Sequence, residues 1–245
     1  MAGRLIYARG YVAGTDGNVS LRLDGRRVLT TPTCVSKGML QAEDLVITDL
    51  DGRKIAGERD PSSELQMHLT IYRLRPDVSA VCHAHPPAAT GFAAAGMPLD
   101  RPILAELVVA LGAVPLAPYA MPGTPALSQT IEPLVAGHNA ILLANHGVVS
   151  YGPDLLTAFF RMETAEHFAR VALVTRILGN QNLLSREQVD ALRAAYCRQE
   201  SSGEAKAGRN GSHTAATRGE ERISLTRSEL DALIDEAVAA RRSKG

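Results

Sequence analysis

Apolar and polar positions along the chain follow two rhythms. In "RRVLTTPT" (26–33) and "LVITDLDGRKI" (45–55) they alternate over short runs, which predicts strands, and Asp51-Gly52 breaks the second run with a hairpin turn. "PSSELQMHLTIYRLRP" (61–76) predicts a helix that opens at Pro61 and its two serines and is stopped by Pro76. "DVSAVCHAH" (77–85) reads as a mostly apolar strand, and "AILLANHGVVSYG" (140–152) holds another apolar run, broken at Asn145-His146-Gly147. The longest helix is expected over 154–178, with Phe159, Met162, Ala165 and Ala169 on its core side. Strands and helices are mixed, so the class is α/β. Periodicity does not give the order of the strands.

The pattern stops near residue 197. Residues 198–221 are rich in Ser, Gly and Ala with no apolar period and read as a flexible linker. After it Leu230, Leu233, Ile234, Ala237 and Val238 follow the spacing of an amphipathic helix within 222–245. Thr226 and Glu229 supply a capping box, and Arg241 and Arg242 suit the C-terminal end of the helix dipole. The expected organisation is therefore one globular domain over 1–197, a linker over 198–221 and a tethered helix over 222–245.

Composition narrows the partners. The 245 residues carry 26 Lys plus Arg against 26 Asp plus Glu, so no net field favours nucleic acid or an anionic membrane. Three widely spaced cysteines (Cys34, Cys82, Cys197) suit neither a disulfide framework nor a cysteine zinc site, and point to a reducing, cytoplasmic setting. No apolar run approaches the roughly 18 residues of a membrane span, and the first residues lack the pattern of a signal peptide.

Two constellations carry chemistry. Side chains alternate along a strand, so His83 and His85 project the same way, and His146 can join them from a neighbouring segment on one divalent metal. Read alone, H-x-H fits separate hydrogen-bonded core or surface histidines better than a metal site. "GTDGN" (14–18), "TPT" (31–33) and "PSSE" (61–64) combine a Gly-rich loop, hydroxyls and a helix start that would cradle a phosphate. Taken singly, Gly14 and Gly17 make a turn, Ser62 or Ser63 caps the helix, and Glu64 is a first-turn carboxylate.

Jointly, "GNVS", "TTPT", "PSSE", "CHAHP", "APYAMPGT" and "LLANHG", in this order, resemble the class II aldolase and adducin-head family, in particular its L-fuculose-1-phosphate aldolase branch, over about residues 3 to 197. The resemblance implies a three-layer α/β/α sandwich on a largely antiparallel sheet, assembled as a homotetramer with sites between subunits. It implies Zn2+ ligated by His83, His85 and His146. Glu64 would bind the resting metal or act as acid/base, and Asn18, Thr33, Ser62 and Ser63 would hold a sugar phosphate. The implied reaction is retro-aldol cleavage of L-fuculose or L-rhamnulose 1-phosphate to dihydroxyacetone phosphate and lactaldehyde.

The sequence departs from that branch at several points. Glu106 stands where the fuculose aldolases carry a proton-donating tyrosine. That substitution keeps open a methylthioribulose-1-phosphate dehydratase or a sugar-acid-phosphate decarboxylase. Glu64 speaks against a ribulose-5-phosphate 4-epimerase, which uses aspartate there, and the full ligand set speaks against a non-catalytic adducin-like scaffold. Cys34 replaces a frequent glycine, Tyr196 is the nearest match to a C-terminal tyrosine, and the helix expected ahead of "GRLIYARG" is not seen. The final helix resembles the encapsulation peptides of bacterial microcompartment enzymes, which implies a shell-protein partner. The alternative is that it packs on its own tetramer.

Overall fold

A computed structural model describes residues 1–196; the expected linker (198–221) and amphipathic helix (222–245) lie outside the described residues. The first helix, α1 (Ala2–Ala8), is formed by the "GRLIYARG" stretch itself. Four short strands follow, β1 (Asn18–Arg22), β2 (Arg27–Thr30), β3 (Val46–Asp49) and β4 (Lys54–Ala56), and then α2 (Leu65–Leu74) and β5 (Ala80–Ala84). Next come α3 (Pro87–Ala94), α4 (Ala105–Ala110), β6 (Leu116–Ala117), α5 (Pro125–Val135), β7 (Ala140–Leu143), β8 (Gly147–Gly152) and α6 (Leu155–Ile177).

The strands form one sheet in the order β4-β3-β2-β1-β5-β8-β7-β6. Every pairing is antiparallel except β6 with β7. Side-chain alternation gives this sheet two buried faces. Ala80, Cys82 and Ala84 of β5, with Ala140, Leu142 and Val148, pack against α1, α3, α4 and α6. Val81, Ile141, Leu143, Val149 and Tyr151 pack against α2 and α5 on the other side. The result is the three-layer α/β/α sandwich expected from the resemblance, and it explains why the central strands read as continuous apolar runs rather than alternating ones.

Three elements differ from the sequence reading. The helix expected from Pro61 starts at Leu65, because Pro61 bridges to Pro32 and Ser62 N–H donates to Thr31 O, holding this segment beside the sheet. Glu64 is thus the residue before the first helical turn, and its side chain makes no cap bond. The run 140–152 is two antiparallel strands, β7 and β8, with Asn145 turning between them in the left-handed region (φ 55°). His85 lies just past the end of β5, its N–H donating to Tyr11 O at 2.8 Å. On α6 the expected core positions Phe159, Met162, Ala165 and Ala169 are all buried.

Candidate active site

The middle of the sheet brings the chemistry together. Asn18 opens β1 directly opposite His83 of β5, and His83 is opposite Val149 of β8, whose first residue follows His146. Strand register therefore places residues from three distant parts of the chain at one end of the sheet. The candidate ligand nitrogens of His83, His85 and His146 all lie within 4.8 Å of one another. His83 Nε2 and His85 Nε2 are 3.2 Å apart. Glu64 spans the group, with Oε2 at 3.3 Å from His83 Nε2 and Oε1 at 3.3 Å from His146 Nε2.

Partners behind two of the rings orient them, while His146 Nδ1 is buried without a hydrogen-bond partner. The Nδ1–H of His83 donates to Val148 O at 2.9 Å, which leaves Nε2 facing the cluster. His85 Nδ1 faces Asp16 Oδ2 at 3.4 Å, again turning Nε2 inward. Gly147 permits this crowding, since a Cβ there would lie 2.5 Å from His85 Cδ2 and 2.6 Å from Ala84 O. Gly17 (φ 70°) is equally constrained, because a Cβ would meet Val12 at 2.6 Å and His83 O at 2.8 Å.

The electrostatics are those of a site poised for a cation. Burial alone would raise the Glu64 carboxyl, but the charge and hydrogen bond of His83, then His146 and the Asn18 amide, outweigh it and hold Glu64 ionised well below the usual carboxylate range. Burial pulls His83 down, yet Glu64 pulls harder and its pKa is raised. His146 is pushed down to about 4 by burial and by repulsion from His83, and His85 is lowered for the same reasons. Three imidazoles whose candidate ligand nitrogens converge and one ionised carboxylate, with Glu64 Oε1 buried and lacking a hydrogen bond, form a donor set that a divalent metal fits.

Beside this group lies a cavity of about 260 Å³, lined by Glu64, His85 and His146 and also by Thr33, Ser62 and Ser63. Asn18, expected to hold phosphate, lines the same cavity, but its side-chain N–H donates to Glu64 Oε2 at 2.8 Å. Cys34, at φ 56°, and Asp16 border it too. Glu106 is not brought to this cavity. It is exposed on α4 and lines a different one, with Tyr11, Glu163 and His167. Tyr196 is exposed. Asp16 and the carbonyl of Val148 were not singled out from sequence; Asp16 sits inside the quoted Gly-rich loop, while a backbone acceptor leaves no mark on residue type.

Residues 1–173 match the family described as "Class II Aldolase and Adducin N-terminal domain". The chain belongs to this family, and it is a metal-dependent lyase of the class II aldolase type. It is 37% identical over 174 residues to a 3-oxo-tetronate 4-phosphate decarboxylase of Haemophilus influenzae, covering 69% of this chain and 82% of that protein. It is 36% identical to an L-fuculose phosphate aldolase of Methanococcus maripaludis, covering 69% of this chain and 90% of that one. A solved L-fuculose 1-phosphate aldolase superposes with a TM-score of 0.74 at 30% identity, over 79% of this chain and 92% of its own.

Proposed function

We propose that the protein is a Zn2+-dependent aldolase that cleaves L-fuculose or L-rhamnulose 1-phosphate into dihydroxyacetone phosphate and lactaldehyde. One observation carries this reading: a single cavity is lined both by His85, His146 and Glu64 and by the hydroxyls of Thr33 and, just ahead of α2, of Ser62 and Ser63. A phosphorylated sugar needs both kinds of wall. The hydroxyls, Asn18 and the positive end of the α2 dipole would bind the phosphate. His83, His85 and His146, with Glu64 when substrate has not displaced it, would hold the metal, which when bound supplies Lewis acidity to the substrate carbonyl and hydroxyl oxygens.

The proton inventory assigns the remaining roles. Breaking C3–C4 removes the proton of the C4 hydroxyl and adds one at C3. Glu64, oriented by Asn18 and ionised in the resting site, takes up a proton from water once substrate is bound and delivers it to C3. Glu106 is assigned the C4 hydroxyl proton from a neighbouring copy, in a homotetramer whose sites lie between subunits. The exposed Phe160 and Ile177 on α6 support such an assembly. Residues 222–245 are assigned, from their sequence pattern, to docking on a microcompartment shell protein; deleting them would abolish co-purification with shell and leave activity intact.

A second reading, decarboxylation of a 3-oxo sugar-acid phosphate, is favoured by the position of Glu106. Glu106 lies outside the cavity of its own subunit, and loss of CO2 from a carboxylate needs no hydroxyl proton removed. The test incubates metal-loaded protein with L-fuculose 1-phosphate, L-rhamnulose 1-phosphate and 3-oxo-tetronate 4-phosphate, with and without chelator. Chelator-sensitive dihydroxyacetone phosphate from either ketose 1-phosphate supports the aldolase; CO2 together with dihydroxyacetone phosphate from the oxo acid alone supports the second reading, and no turnover of any of the three overturns both.

A further inference from the structure

Lys37 is among the largest fully buried side chains of the protein, at 1% exposure, and nothing in the proposed reaction accounts for it. Burying an ammonium is expensive unless its N–H groups are satisfied. Its Nζ donates to Thr15 O at 2.9 Å and to Val35 O at 2.7 Å. These two carbonyls belong to different loops. Thr15 heads the loop that continues through Asp16, Gly17 and Asn18, and Val35 follows Thr33 and Cys34; all six of these neighbours, Thr15 included, line the cavity beside the histidines.

The cavity has a charge problem that Lys37 answers. Asp16 and Glu64 contribute carboxylates to its lining, and no Lys or Arg side chain lines it among the described residues. A phosphate dianion entering there meets hydroxyls and like charge. Lys37 is tied to the backbone of both phosphate-facing loops, and burial lowers its pKa, an effect that Asp16 and then Cys34 oppose. In a site from which water is partly excluded, such a charge acts at longer range than in solvent.

We infer that Lys37 is a positioning residue for anion binding: it clamps the loop of Thr15–Asn18 to the loop of Thr33–Val35 and offsets the charge of the substrate phosphate from behind them. The inference rests on the phosphate reading of this cavity. It predicts an effect on binding rather than on bond breaking, because the ammonium does not touch the histidine group.

The experiment compares wild type with Lys37→Met and Lys37→Arg, all zinc-loaded and freed of excess metal, by calorimetric titration with inorganic phosphate and by steady-state kinetics on the sugar phosphate that wild type cleaves. Lys37→Met should weaken phosphate binding and raise KM by roughly tenfold or more, with kcat within about threefold and zinc content unchanged, while Lys37→Arg recovers part of the loss. If Lys37→Met does not fold, Lys37→Gln, which keeps a donor and removes the charge, is read in its place. Phosphate bound by both proteins within about twofold, a fall in kcat at constant KM, or loss of zinc in every variant overturns the role of Lys37. No phosphate or sugar-phosphate binding by wild type instead overturns the reading of the cavity.

Discussion

The side-chain amide of Asn18 donates to Glu64 Oε2 at 2.8 Å, from the first residue of β1 to the residue just ahead of α2. Glu64 is thereby held against His83 and His146 while its Oε1 keeps a free lone pair. Replacing the donor by a like charge should undo this. Asn18→Asp is expected to raise the Glu64 pKa, move the acid limb of the kcat profile to higher pH and lower kcat by about a hundredfold. Asn18→Ser should cost less. A profile that keeps its acid limb in Asn18→Asp would mean that Glu64 handles no proton in the slow step.

Metal removal tests the histidine group directly. His83 is fully buried, and its Nδ1–H is committed to Val148 O, so its Nε2 is presented to the cluster with little freedom. Chelation should lower Tm, because a ligand at a hundredfold excess over its Kd adds about 2.7 kcal/mol, or roughly 5–10 °C for a domain of this size. His83→Ala should bind less than about a tenth of the wild-type metal and show no chelator-dependent shift. An unchanged Tm on chelation of a protein shown to carry metal would place that metal elsewhere.

Much of this architecture is legible in residue order, and what is not has physical reasons. The histidine trio is readable because an x-H-x-H strand end and an N-H-G turn are short-range patterns, and the fold brings all three rings to centroid separations of 4.7 to 5.0 Å. Sheet order was not readable, because β1 pairing with β5 and β8 inserting between β5 and β7 are long-range choices that no local period encodes. The late start of α2 is not legible because Pro61 and two serines are good helix openers in isolation, and the bridge from Pro61 to Pro32 overrides them. Lys37 gave no signal either: a lone lysine in a polar loop is ordinarily solvated, and only the meeting of two loops buries it.

A second buried imidazole should make the protein acid-sensitive. His68 on α2 is 1% exposed, shares Ser20 Oγ with Tyr72 at 2.7 and 2.8 Å, and leaves Nε2 without a hydrogen-bond partner. Burial, then the charge of His83, lowers its pKa from 6.5 to about 3. The unfolded chain therefore binds a proton here that the folded one does not, so stability is complete above the unfolded value and falls as pH drops from 6.5 toward 3. The loss is on the order of a few kcal/mol by pH ~4. His68→Gln should flatten that part of the urea-unfolding profile, and an equally steep decline in the variant would assign the acid sensitivity to other groups.

Gly147 offers a test in which no ligand is altered. It follows His146 and opens β8, and its missing side chain is what lets His85 and the Ala84 carbonyl approach the β7–β8 turn. A methyl group there would sit 2.5 Å from His85 Cδ2 and 2.6 Å from Ala84 O, and the second contact is with backbone that cannot swing away. Gly147→Ala must therefore displace the end of β5 or the turn itself, and either movement takes His85 or His146 out of the shared position. Metal affinity should fall by roughly 10- to 100-fold, the range typical of misoriented ligands, and stability should drop by about 1–3 kcal/mol from overpacking. Calorimetric metal titration and urea unfolding of the metal-free protein separate the two effects. Loss of stability with metal affinity unchanged would mean that the sheet end relaxes without moving the rings, and that the close approach of Gly147 serves packing alone.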